Sequence, residues 1–194
     1  MSVLVVTPRD DPSSRQCARW ADTLVKNHGN LVELTTRSRS AVDNHLPSHR
    51  HAFYFGHGDI DRLIVAGGLF PRQVVLLGGG SLRGITYRIV VAVACWSGDG
   101  LGRAVVIANP AKPKEVWAYV GWLDDISWLD EWPDPIGDAL VTALDAFCSG
   151  GDVAQLVSDL KQRFSDAHNE IRANGGARGL ATDRVFLGKA CALY

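Results

Sequence analysis

The chain has 194 residues, 46% of them hydrophobic and 21% charged, which suits one globular domain with a sizeable core and excludes a disordered chain. It carries 20 basic and 21 acidic residues for a formal charge of −1, so no overall field recruits nucleic acid or anionic lipid. Neither nucleic acid nor a membrane is an expected partner.

In chain order, SVLVVT (residues 2–7) is a short apolar run ended by Pro8, as a strand buried on both faces would be. Residues 13–28 carry Cys17, Trp20, Leu24 and Val25 at helical spacing behind a serine-rich start, and Gly29 stops them. NLVELTT (30–36) reads as a second strand, and RSRSAVDNHLPSHR (37–50) as a polar connection. HAFYFG (51–56) is a third strand that delivers His57 at its carboxyl end.

RLIVAGG and RQVVLLGGG, each closed by glycines, suggest a hairpin or short edge strands. Residues 88–94 form the most apolar strand and so a central one. Residues 101–108 look helical, NPAKPK is a loop, and EVWAYVG (115–121) is another strand, followed by the aromatic and acidic stretch WLDDISWLDEWPDP. Helices are expected over 135–148 and over 152–173, the second with Val153, Leu156, Val157, Leu160, Phe164, Ala167 and Ile171 on one face. Alternating strands and helices predict a single α/β domain over residues 1–194, in three layers, with a mainly parallel central sheet flanked by helices.

Cys17, Cys95, Cys148 and Cys191 form no CxxC pair, which argues against a zinc ribbon or redox dithiol and for reduced thiols. MSVLVVTPRDD lacks a cationic region followed by a long apolar stretch, and no segment approaches the roughly 20 apolar residues of a membrane helix. A cytoplasmic protein is the expectation.

In an open α/β sheet, functional groups collect where strands end at their carboxyl edge. FYFGHG delivers His57 there and VAVACWSG delivers Cys95. A cysteine alone is most often a buried core thiol, and a strand-end histidine a satisfied one. Two such groups that can act together point instead to a nucleophile and its base. Cys95 is also expected just ahead of the helix over 101–108, whose positive end would favour a thiolate. Gly58 would let the backbone N–H behind His57 approach a substrate carbonyl.

These two stretches resemble the caspase-like cysteine peptidases, the group of caspases, metacaspases, legumain, gingipain, clostripain and separase, and especially the bacterial CHAT branch. Members carry a hydrophobic strand ending in His-Gly and a later one ending in Ala-Cys or Asp-Cys before a small-residue turn. KEVWAYVGWLDD and GGDVAQLVSDL continue the likeness, which covers most of residues 2–173. The resemblance implies a caspase-like fold, Cys95 as nucleophile, His57 as general base and acid, and the backbone N–H groups of Gly58 and Cys95 as oxyanion donors.

It also implies a thiol protease that cleaves a protein or peptide, regulated by an activating partner or ligand, with no cofactor and no metal. The alternative is a catalytically silent module that binds a partner protein or a small signal molecule. Val93 stands where caspases have Gln and metacaspases an acidic residue, and the His-to-Cys separation is shorter than the caspase spacing of about 50. Specificity is therefore open. Asp59, Asp99, Asp124 and Asp125 are candidates to receive a basic side chain, Arg62 and Arg103 an acidic one, and Trp122 is a candidate cleft wall. A substrate strand is expected to pair near Trp117 to Trp122. The histidines of HLPSHRH lack the spacing of a metal site, and GGGSLRG lacks the Lys of a phosphate loop.

Overall fold

The computed structural model describes residues 2–45, 48–59, 62–65, 74–78, 89–95, 97–98, 100–102, 118–122, 134–174 and 192–193. In chain order its elements are β1 (Val3–Val6), α1 (Pro12–Asn27), β2 (Leu31–Leu34), α2 (Arg39–His45), β3 (His51–Phe55), β4 (His57–Asp59), β5 (Arg62–Val65), β6 (Val74–Gly78), β7 (Ile89–Val93), β8 (Ala118–Gly121), α3 (Pro135–Cys148), α4 (Val153–Asn174) and β9 (Ala192–Leu193).

The main sheet has the order β2-β1-β3-β7-β8-β9, with every pairing parallel except that of β8 with β9. β1, β3 and β7 lie inside it, and the residues of β1 and β3 are buried throughout, as strands covered on both faces must be. Alternation along each strand then sorts the side chains into two cores. Val3, Val5, Phe53, Phe55, Val91, Val93 and Val120 face α1, α3 and α4. Leu4, Val6, Ala52, Tyr54, Val90 and Ala92 face Val42 of α2, Leu63 of β5, and Leu101. Helical layers on opposite faces of a mainly parallel sheet make the three-layer α/β arrangement that the alternating pattern predicts.

Local chemistry fixes the helix ends. Asp11 caps α1 by accepting from the Ser14 N–H at 2.8 Å while Ser14 Oγ accepts from the Asp11 N–H at 3.0 Å, and Pro12 opens the first turn. Asp134 caps α3 in the same way through Gly137 N–H, and its other oxygen accepts from Trp20 Nε1 at 2.6 Å and Gln16 Nε2 at 2.9 Å, joining α1 to α3. α4 buries Leu156, Val157, Leu160, Phe164, Ala167 and Ile171, the stripe expected from its period.

Three differences from the sequence reading have physical causes. The 37–50 connection contains α2, whose single buried residue, Val42, gives too little periodicity to reveal it. β5 and β6 form the expected hairpin, but β4 adds a third antiparallel strand, so His57 opens a new strand two residues beyond β3. β9 is only two residues long and covers the outer side of β8 at Val120 and Gly121. A substrate strand therefore does not pair there, because β8 already has neighbours on both sides. Residues 100–102 are helical, and the rest of the expected 101–108 helix lies outside the described residues. Among the described residues, no helix is long and apolar enough to cross a membrane.

Candidate active site

Strand register brings the two motif residues together. β3 and β7 are adjacent and parallel with Phe55 opposite Val93, so His57 and Cys95 stand at the same offset, two residues past each strand end. The Gly56 N–H donates to Val93 O at 3.1 Å and carries the pairing one residue further. A Cβ on Gly58 would lie 2.4 Å from Cys95 O and 2.8 Å from Ala94 Cβ. Only glycine permits that approach, so the His-Gly and Ala-Cys stretches meet backbone to backbone.

The imidazole is held by a carboxylate from the loop after β1. Asp11 Oδ2 lies 2.5 Å from His57 Nε2, and both side chains are about one-third exposed or less, at 27% and 31%. Burial alone would raise the Asp11 carboxyl, but hydrogen bonds from the Ser14 N–H and from His57 outweigh it and hold the group below the ordinary carboxylate range. Asp11 thus serves two ends with two oxygens: Oδ1 caps α1 and Oδ2 orients the imidazole. The main chain is also pinned, since the buried Tyr54 hydroxyl, with one proton to donate, lies 2.6 Å from Ile64 O and 3.0 Å from His57 O. Burial keeps that phenol well above its usual pKa, so it remains a donor.

Cys95 is partly exposed at the start of the turn after β7. Ser97, fully buried, locks this turn: its Oγ lies 3.1 Å from Ala92 O and 2.8 Å from Ala94 O, and accepts from the Trp122 N–H at 3.3 Å. The Gly98 N–H donates to Trp122 O at 2.7 Å. The residues described as helical after this turn begin at 100, five positions beyond Cys95. A helix field falls off within its first turn, so it reaches Cys95 only weakly. The other described thiols are suppressed: burial pushes Cys17 up to about 12, with the nearby Cys95 adding to it, and burial pushes Cys148 up to about 11.

The expected specificity residues fare differently. Asp59 is half exposed and sits 3.9 Å from Arg62 Nε across the β4–β5 pairing, a surface ion pair of small energetic value. Trp122 is 2% exposed and packs 6.1 Å from the Phe164 ring, so it belongs to the core rather than to a cleft wall. Asp99, Arg103, Asp124 and Asp125 lie outside the described residues.

Two residues escaped the sequence reading. One is Asp11; the other is Asp10, both of whose carboxylate oxygens are inaccessible and lack a hydrogen-bond partner among the described residues. The signal for them was present, because DDPSS follows the first strand and the carboxyl-edge rule applies to that strand as much as to the other two. No family model and no curated protein matches the chain.

Proposed function

We propose that the chain is a cysteine endopeptidase in which Asp11, His57 and Cys95 act as orienting carboxylate, base and nucleophile. The observation that carries this reading is the common register of His57 and Cys95 beyond adjacent parallel strands, with the imidazole fixed by Asp11. A caspase-like fold of the CHAT type is part of the same proposal, resting on the His-Gly and Ala-Cys motifs at these two strand ends.

In the reaction, Cys95 passes its proton to His57 and the thiolate attacks the peptide carbonyl. The oxyanion is met by backbone N–H groups, with those of Gly58 and Cys95 as candidates. The tetrahedral adduct collapses as the imidazolium protonates the leaving amine, and water then hydrolyses the thioester with His57 again as base. Asp11 keeps the ring in one orientation and stabilises the imidazolium.

Specificity is read from Asp59. Its ion pair with Arg62 at 3.9 Å is weak and its side chain is half exposed, so it stays the described candidate to receive Lys or Arg, whereas the Asp10 oxygens are out of a substrate's reach. A reducing cytoplasmic setting suits a reaction that needs a free thiol at Cys95.

Mass-spectrometric profiling of a peptide library tests this reading. Wild-type protein, with and without host lysate to supply an activator, should cleave after basic residues. Cys95→Ser should abolish all cleavage, and Asp59→Asn should remove the basic preference while leaving the nucleophile competent. Absence of Cys95-dependent cleavage under both conditions would favour the silent binding module.

A further inference from the structure

Asp11 can bridge α1 and His57 only if the loop after β1 turns sharply enough to deliver it. That loop contains Arg9, the one non-glycine residue with a left-handed backbone (φ 55°) among the described residues. Side chains rarely adopt this conformation, and it persists only where surroundings over-determine it. The surroundings here are ionic. Arg9 Nη2 donates to Asp22 Oδ1 of α1 and, at 2.6 Å, to Glu33 Oε1 of β2. Glu33 Oε1 also accepts from Thr7 Oγ1 at 2.7 Å and Thr35 Oγ1 at 3.1 Å, so the end of β1, the strand β2 and the helix α1 converge on one guanidinium.

We infer that Arg9 is a positioning residue for the catalytic site: by tying Asp22 and Glu33 together it holds the loop in its left-handed turn and keeps Asp11 Oδ2 against His57 Nε2. The inference rests on the peptidase reading. Arg9 itself touches no reacting atom, and its effect passes through Asp11, two residues on. The hydrogen bond to Glu33 raises the Arg9 pKa further, so the clamp stays charged wherever the carboxylates are ionised.

A mutant cycle separates positioning from mere stability. Arg9→Asn removes the guanidinium while Asn still tolerates a left-handed backbone. The readout is the site-resolved rate of Cys95 alkylation by iodoacetamide, below each variant's melting temperature, for Arg9→Asn, Asp11→Asn, the double variant and His57→Ala. Both single variants should slow labelling by about tenfold, the scale of one charge-assisted hydrogen bond, and the double variant should be no slower than Asp11→Asn alone. Wild-type rates in Arg9→Asn, or a double variant slowed by the product of the two effects, would overturn the inference. Should Arg9→Asn fail to fold, Arg9→Lys in the same cycle decides it by the same criterion, its smaller loss vanishing in the Asp11→Asn background. A His57→Ala rate equal to wild type would instead sink the peptidase reading, and that outcome is separate from the behaviour of Arg9.

Discussion

The helical face of the sheet and its carboxyl edge are built on opposite terms. On the helical face, large side chains alternate inward from β1, β3, β7 and β8 and meet the stripes of α1, α3 and α4. At the carboxyl edge the same strands end in close backbone contacts, a left-handed Arg9, a carboxylate–imidazole pair and the Asp10 carboxylate, which has no hydrogen-bond partner among the described residues. One region gathers apolar area, and the other gathers polar groups around one strained backbone position. Such a contrast is what separates a scaffold from a site.

Paired substitutions sharpen the contrast. Leu140→Ala in α3 empties a fully buried position and should cost about 2–5 kcal/mol in chemical denaturation, leaving Cys95 labelling unchanged below the melting temperature. Gly58→Ala should also cost stability, about 1–3 kcal/mol, because its methyl meets backbone rather than the end of a flexible side chain. Unlike Leu140→Ala, it should cut Cys95 labelling sharply, since the added Cβ meets Cys95 O at 2.4 Å. If both variants changed stability and labelling in proportion, the division between scaffold and site would break.

A smaller effect separates the regions by pH. Asp11 and Glu33 both border the loop after β1, and both have folded pKa values below their unfolded ones. Each therefore contributes stability that is fully present above the unfolded value, near 4 (about 3.9 for Asp and 4.3 for Glu), and is lost as pH falls through the folded value beneath it. Thermal melts should be level from about pH 5 to 7 and decline below about pH 4. The decline should be shallower in Asp11→Asn; an unaltered acid limb would mean that Asp11 is not held by its partners.

Most of the scaffold was legible in the sequence because continuous apolar runs and stripes of period 3.6 report burial directly. β1, β3, β7, α1, α3 and α4 fall within a residue or two of expectation. α2 was hidden because only Val42 is buried, and β9 because two residues carry no pattern. At the site, His57 and Cys95 were readable from where their strands end. Asp11 was not, since its partner lies 46 residues away and local sequence shows only a helix cap. Trp122 was misread although alternation could have corrected it: Val120 faces the helical core, so the residue two positions on faces it as well.

The central claim is that the carboxyl edge makes one thiol reactive, and site-resolved alkylation by iodoacetamide at neutral pH tests it most directly. Cys95 should be labelled well ahead of Cys17, Cys148 and Cys191, and His57→Ala should erase most of that lead. Uniform labelling of the four thiols, or a Cys95 rate indifferent to His57, would contradict the account.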